Sequence, residues 1–364
     1  MWIQWRNTKI LLQAVSALAL LPMAARAAPL DALLTADQFH YQGELRVEAG
    51  MDAMNNTLDV LKIRGDDPTY AGTTVGDYAG QHVRLGYALS SKFMLEGGLW
   101  RRKISYRADD ELIDSWQLAG QYRLLGDADS LFHGAVRISA WGNQSSSLVK
   151  NTPTLVQGRT LDSFSIDNLR DSQTQVDAIG TWRLSSQTSL SGFIGFGQGS
   201  VTTGNLTGAY VASNGCSYSL SLTPSETFGK LTAPCTAPNA VLAFGTNQSP
   251  LSDFSYQSSY VQLGGMWQWQ NSQWSLRAGY QYQHLSRDHV DDLIANSGGE
   301  SFQDNHIVIA EMVRKIGQKT ALFVRGQAMS NQFVGEIPFV YNQFTANKFS
   351  HRYGLVTIGI SAAF

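Results

Sequence analysis

The sequence is poor in cysteine and, beyond residue 28, has no hydrophobic run long enough to cross a membrane as a helix. Its two cysteines lack the spacing of a zinc site, and neither a phosphate-loop motif nor a haem-attachment motif is present. We therefore expect no cofactor and no metal ion. Hydrophobic residues nevertheless make up 43% of the chain. In a secreted chain this combination indicates either a soluble all-β protein or a barrel that crosses a membrane with strands.

Positively charged residues are in the minority once the amino terminus is set aside. Residues 1–27 have a basic start, an interrupted apolar stretch and the small-x-small sequence Ala25-Arg26-Ala27, which together predict a cleaved secretory signal peptide. This segment contains three of the 27 Lys and Arg residues and none of the 29 Asp and Glu residues, so the mature chain has a net charge of −5. That charge argues against nucleic acid as a partner.

The mature chain, residues 28–364, is punctuated by short polar turns and long variable stretches. Five short turns lie at 90–92, 127–130, 185–187, 271–273 and 317–319, and the longest variable stretches lie at 52–78, 143–171, 202–254 and 288–301. Each short turn separates two runs of alternating polarity, and five turns plus a free strand at each end give twelve strands. The pattern resembles that of bacterial outer-membrane proteins, which implies an all-β, antiparallel up-and-down barrel with periplasmic turns and extracellular loops. Residues 28–38 are expected to form a tail or a short plug.

The last twelve residues form an alternating segment that ends in an aromatic residue. Val356, Ile358 and Ile360 share one face with the terminal Phe364, whereas small and polar residues share the other. This ending resembles the sorting signal that the barrel-insertion machinery of Gram-negative bacteria reads. The resemblance implies an outer-membrane location, with membrane lipids and lipopolysaccharide as neighbours.

Aromatic residues of the apolar phase are concentrated near the short turns. Rings with polar edges favour the level of the lipid headgroups, so this concentration predicts a periplasmic aromatic girdle. The predicted girdle consists of Phe93, Tyr122, Phe132, Trp182, Trp267, Trp269, Trp274 and Phe364.

The polar phase of the strands predicts the lining of a lumen. It contains eight arginines and five carboxylates, a wall charge near +3. Charged rings set the selectivity of pores, so we interpret the wall as a passage for small polar solutes, with a preference for anions. The alternative is a salt-bridge network that fills a narrow barrel. The predicted lining residues are Glu44, Arg46, Glu48, Arg84, Glu96, Arg102, Arg123, Arg137, Asp177, Arg183, Arg277, Gln281, Gln283, Glu311 and Arg325.

A second candidate site is predicted on the outer surface of the barrel. His284 and Ser286 belong to the lipid-facing phase, and Asp304 or His306 of the next strand could orient the histidine. The His-x-Ser pair resembles that of outer-membrane phospholipases and lipid A deacylases, although Arg287 stands where those families usually have Asn. The alternatives to a channel are therefore a lipid-facing esterase, or a non-conducting barrel used in adhesion, assembly or polymer export. Interfacial polar residues without a catalytic role would give the same pattern.

The two cysteines enclose a loop segment rich in Ser, Thr and Pro. In an oxidising compartment, a disulfide between Cys216 and Cys235 is the expected state, with two buried thiols as the alternative.

Overall fold

The computed structural model describes residues 42–54, 77–106, 109–127, 130–150, 154–156, 159–212, 215–222, 227–233, 255–296, 300–331, 337–342 and 352–364. The predicted signal peptide and the segment 28–38 lie outside these residues. The described residues are nearly all in strands, and none of their helices is long and apolar enough to cross a membrane. The elements are β1 Leu45–Met54, β2 Asp77–Ala88, β3 Phe93–Tyr106, β4 Asp109–Leu125, β5 Phe132–Lys150, β6 Thr154–Val156, β7 Arg159–Leu161, β8 Ser163–Arg183, β9 Thr188–Thr202, β10 Leu206–Val211, β11 Ser217–Leu222, β12 Thr227–Leu231, β13 Tyr256–Gln270, β14 Trp274–Arg287, α1 Val290–Asn296, β15 Asp304–Lys315, β16 Thr320–Met329, the 3₁₀ helix Pro338–Val340 and β17 Tyr353–Ala363.

Twelve of the strands form a closed antiparallel barrel, as the sequence predicts. Their order is β1-β2-β3-β4-β5-β8-β9-β13-β14-β15-β16-β17, and β17 pairs again with β1. The closing pair places Gly50 opposite Gly359, and the terminal Phe364 exchanges backbone hydrogen bonds with Leu45 at 2.9 and 3.1 Å. Closure leaves none of the twelve strands with an unpaired edge.

The short connections are built by polar side chains that bond to their own turn. In the β2–β3 turn, Ser90 Oγ accepts a hydrogen bond from the Phe93 N–H at 3.0 Å. Ser185 and Asn271 accept equivalent bonds from Thr188 and Trp274 at 3.0 and 2.7 Å. Serine and asparagine favour turns for this reason. We call this end of the barrel the turn end and the opposite end the loop end.

The loop end contains more strand than the sequence predicts. The predicted loop 143–171 is mostly occupied by β5 and β8, which run on to Lys150 and start at Ser163. Within the predicted loop 202–254, β10 pairs with the start of β8 and continues the sheet through β11 and β12. Strand pairing uses backbone groups, and a sheet beyond the bilayer has no need of an apolar face. Because of the polar residues in these segments, the alternation of polarity did not predict their strands.

The exterior of the barrel carries a belt of exposed apolar side chains. Leu118, Ile138, Val176 and Ile358 are 61%, 61%, 49% and 61% exposed. Soluble monomers rarely expose a continuous apolar surface of this extent, whereas a lipid-facing wall requires one. Near the turn end the belt includes exposed aromatic rings, among them Tyr122, Phe132, Trp182, Trp267 and Phe364.

The interior changes chemistry along the barrel. Towards the turn end and in the middle, the inward side chains are mostly charged, amide or hydroxyl groups. At the loop end many are apolar and form a buried cluster, which we call the mouth cluster. Its members include Tyr78, Trp100, Trp141, Tyr256, Tyr260, Leu285, Tyr353 and the segment 337–341. A smaller apolar cluster of Phe193, Met266 and Ile309, with Ala135 and Ile179, lies nearer the turn end.

Candidate functional site

The structure places the predicted lining residues in the inward phase of the wall, and most of those on strands are buried. Arg102 and Arg137 are each 1% exposed, and Asp177 is also 1% exposed. Arg137 pairs with Glu96, which lies two strands away on β3. These side chains therefore contact one another rather than stand apart in an open space.

One ion network covers the half of the wall formed by β14 to β2. Arg277 and Arg325 approach Glu311 at 3.4 and 2.6 Å. Arg325 also lies 3.3 Å from Glu48, which is 3.8 Å from Arg84. Each carboxylate thus serves two cations, which fixes the side chains of neighbouring strands relative to one another.

Several inward titratable groups were not predicted from the sequence. His82 lies between Glu48 and Asp52, with both ring nitrogens 3.3 Å from a carboxylate oxygen. Asp52 also accepts a hydrogen bond from Thr357 Oγ1 at 2.6 Å. Asp52 continues the inward phase of β1, although its position at the start of the stretch 52–78 predicted a loop.

The net positive wall charge that the sequence suggested is not present among the described residues. Asp52, Glu111 and Asp171 are 7%, 2% and 6% exposed and face inward. They join the five predicted carboxylates, so eight carboxylates face the eight predicted arginines. The inward Arg287 is paired with Asp291 at 3.1 Å and leaves the balance unchanged. Asp52 and Asp171 lie in stretches predicted to be loops, into which β1 and β8 extend.

Glutamines occupy the opposite half of the wall. Gln262 Oε1 accepts hydrogen bonds from Gln281 Nε2 at 3.1 Å and from Gln175 Nε2 at 3.4 Å, which links β14, β13 and β8. In the described part of the chain, several amide atoms of this group are buried and have no protein partner, including Gln262 Nε2, Gln281 Oε1, Gln283 Nε2 and both polar atoms of Gln173.

The segment 337–342 lies across the loop end and contacts the far wall. It connects β16 to β17, yet its bonds reach strands on the other side of the barrel. Pro338 O accepts a hydrogen bond from Tyr256 OH at 2.8 Å, and the Phe339 N–H donates to Asp171 at 3.4 Å. Ile337, Phe339, Val340 and Tyr341 are 0–2% exposed.

Tyr341 anchors this segment to the loop that follows β14. Its hydroxyl accepts a hydrogen bond from the Phe302 N–H at 2.7 Å, and the guanidinium of Arg287 lies 4.2 Å from its ring centroid. Burial raises the pKa of Tyr341 to about 12, so the hydroxyl stays protonated at physiological pH. Arg287 is the residue that stands where lipid hydrolases with a His-x-Ser pair usually have Asn. Its side chain contacts Tyr341, so it faces the mouth cluster and not the exterior.

On the exterior, the structure distinguishes the two predicted partners of His284. Asp304 is the cross-strand neighbour of His284, and its carboxylate lies 2.8 Å from His284 Nδ1. His306 instead lies 2.7 Å from the hydroxyl of Tyr280. Ser286 is exposed on the same face of β14 as His284.

The remaining predicted sites are only partly within the described residues. Cys216 is buried, but Cys235 lies outside them, so the disulfide stays a prediction. In the part of the chain that the structure describes, no group of three or more His, Cys, Asp or Glu side chains could hold a metal ion.

No protein-family model and no curated protein matches this sequence. Several solved outer-membrane barrels are similar to it in fold. The KdgM porin is 7% identical, with a TM-score of 0.38 over 87% of this chain and 99% of that one. The translocator domain of the autotransporter NalP from Neisseria meningitidis is 11% identical, with a TM-score of 0.43 over 92% and 93%. The Pseudomonas putida toluene transporter TodX is 10% identical, with a TM-score of 0.39 over 93% of each chain. Likeness at this level concerns strand architecture and carries no argument about transport.

Proposed function

We propose that this protein is an outer-membrane channel for small polar solutes, and that the segment 337–342 closes its mouth in the conformation described. The apolar exterior belt and the aromatic rings near the turn end support insertion in a bilayer. The position of Phe364 at the end of the closing strand supports delivery by the barrel-insertion machinery to the outer membrane. Lipids and lipopolysaccharide would then surround the belt.

The observation that carries the proposal is the set of amide atoms without a described partner on the wall between its middle and the loop end. Buried polar atoms nearly always have a hydrogen-bond partner, because leaving one unmade costs about 1–3 kcal/mol. Gln173, Gln262, Gln281 and Gln283 each have at least one atom for which no described residue supplies a partner. Water is a partner that fits buried amide groups, so we propose that the wall around these glutamines, above the small apolar cluster of Phe193, Met266 and Ile309, is hydrated. A barrel stabilised only by side-chain packing has no need for such groups.

The balanced wall changes the expected selectivity. Charged side chains that are paired at 2.6–3.8 Å present little net charge to a passing ion. We therefore propose passage with weak charge preference instead of the anion preference inferred from the sequence.

Conductance of purified protein in planar bilayers tests the proposal. The double substitution Phe339→Ala with Tyr341→Ala removes two rings from the mouth cluster and the Phe302 anchor, so it should raise the open probability several-fold over the native protein. The matched control is Phe132→Ala with Tyr122→Ala, which removes two exposed rings from the exterior and should leave conductance unchanged. The reversal potential in a salt gradient should stay near zero.

A barrel that stays silent after the mouth substitutions, although it is folded, would contradict the channel. That result would favour a barrel that is filled by its salt-bridge network. The function would then be the non-conducting alternative, in adhesion, assembly or polymer export.

A further inference from the structure

A polar cluster lies at the loop end of the exterior on β13, β14 and β15, and exposed polar residues continue at the same level on β9 with Gln198. Strand β14 presents apolar or aromatic residues outward from Trp274 to Tyr282 and then changes to His284 and Ser286. A transmembrane strand needs about 9–11 residues to cross the hydrocarbon region. His284 is ten residues from Trp274, so the cluster lies where acyl chains meet headgroups at the loop end.

The histidine of this cluster is oriented by a carboxylate. Asp304 lies 2.8 Å from His284 Nδ1, and the same carboxylate oxygen accepts a hydrogen bond from the hydroxyl of Tyr282. A carboxylate at Nδ1 selects the tautomer with the proton on that nitrogen. The other nitrogen, Nε2, is then a proton acceptor, and no described residue bonds to it.

A serine lies on the same face of β14 as that acceptor. Ser286 is two positions from His284 on the same face of β14, a separation of about 6.7 Å between Cα atoms. Because both side chains lie on one face, a contact between Ser286 Oγ and His284 Nε2 requires a suitable rotamer of each side chain and no movement of the backbone. Ser259 is exposed directly across from Ser286 on β13 and places a second hydroxyl beside the first.

We propose that Ser286, His284 and Asp304 form a serine hydrolase site that cleaves carboxylic acyl esters of lipids in the outer leaflet. Ser286 Oγ attacks the ester carbonyl carbon while His284 Nε2 takes its proton. The bond from the acyl carbon to the alkoxy oxygen breaks, and the departing alcohol receives that proton, leaving an acyl-serine. Water then attacks the acyl-serine, His284 again accepts and returns a proton, and the products are a fatty acid and the free serine.

The surroundings suit an ester presented by a bilayer. Apolar side chains continue below the cluster, with Leu263 and Val308 46% and 53% exposed. An acyl chain lying along them brings its ester to the height of Ser286. In this scheme the Ser259 hydroxyl, which lies across from Ser286, donates to the oxyanion that forms. Asp304 touches neither nucleophile nor ester in this scheme, so it is a positioning residue.

The first experiment is covalent trapping, which is independent of the identity of the lipid. The folded barrel is treated in detergent with a long-chain alkyl sulfonyl fluoride, and the modified peptide is identified by mass spectrometry. Modification at Ser286 that drops at least tenfold in His284→Ala is the expected result. Modification that is absent, or equal at Ser286 and at the exposed outward Ser172 of β8, would overturn the proposal.

The second experiment measures fatty-acid release from two substrates, phosphatidylethanolamine vesicles and purified lipopolysaccharide. Release from either identifies the source of the ester, and release from neither contradicts the proposal.

Ser286→Ala should lower the rate of fatty-acid release by about 10⁴-fold or more, whereas Ser172→Ala should leave it unchanged. Asp304→Asn should lower kcat by about 10²–10⁴-fold with little change in KM, because it disturbs the tautomer and not lipid binding. A purely interfacial role would leave all these rates alike. Channel conductance is measured separately, so failure of one proposal does not decide the other.

Discussion

At the residue scale, the interior depends on large side chains that lie over glycines of neighbouring strands. The ring of Tyr260 covers Gly197, and that of Phe193 covers Gly264. A Cβ at either glycine would overlap the ring above it. These glycines are therefore required by close packing and not by backbone conformation.

This packing makes a residue-scale prediction for Gly197→Ala. The added methyl forces Tyr260 from its place in the mouth cluster, and overpacking of this kind costs about 1–3 kcal/mol. Denaturant unfolding of the barrel in detergent, followed by tryptophan fluorescence, measures the change. Gly326→Ala is the matched control, because a Cβ there meets nothing within 4 Å, and its stability should stay within about 0.5 kcal/mol of the native value. Equal stabilities of the two variants would show that the ring does not need the glycine.

At the element scale, the features that the sequence predicted are those that a bilayer requires. The features that it missed lie beyond the apolar belt. The short turns and the twelve-strand closure follow from alternation, which a lipid-facing wall imposes on every strand. The extension of β5 and β8 and the strands β10–β12 lie beyond the belt, where no such pattern is required. The segment 337–342 carried a usable signal, since Ile337-Pro338-Phe339-Val340-Tyr341 is an apolar run between β16 and β17. Its burial across the mouth still depends on long-range contacts that spacing does not reveal.

The candidate exterior site shows the same limit. The alternation of outward and inward residues along each strand was enough to predict that four side chains share the outer face: His284, Ser286, Asp304 and His306. The choice between Asp304 and His306 depends on the register of β14 with β15, which the intervening connection sets. Register is a property of the folded pair, so only the structure could assign Asp304 to His284.

The element-scale prediction concerns the terminal strand β17. Phe364 joins β1 through its backbone, while its ring is 54% exposed. Phe364→Asp therefore keeps the closing hydrogen bonds and changes only the group that the insertion machinery is proposed to read. We expect this variant to fold in detergent like the native protein but to accumulate poorly in the outer membrane of cells, whereas Phe364→Trp accumulates normally. Native outer-membrane levels of Phe364→Asp would remove the role of the ring in sorting.

At the scale of the whole molecule, every functional proposal depends on which end faces the cell exterior. The mouth cluster and the exterior triad both lie at the loop end, while the short turns lie at the other end. A channel closed by 337–342 would be gated from outside in one orientation and from the periplasm in the other. The ester site would likewise meet lipopolysaccharide in one orientation and inner-leaflet phospholipid in the other.

Cysteine labelling of intact cells determines the orientation. Ser219 in β11 and Ser186 in the β8–β9 turn are both exposed, so a cysteine at either is open to solvent on its own side of the membrane. A maleimide too large to cross the outer membrane should label Ser219→Cys in intact cells and Ser186→Cys only after the outer membrane is permeabilised. Purified, detergent-solubilised protein should label at both positions, which controls for local accessibility. The reverse pattern in cells would place the triad in the inner leaflet, where the proposed cleavage of lipopolysaccharide esters could not occur and only a phospholipid substrate would remain.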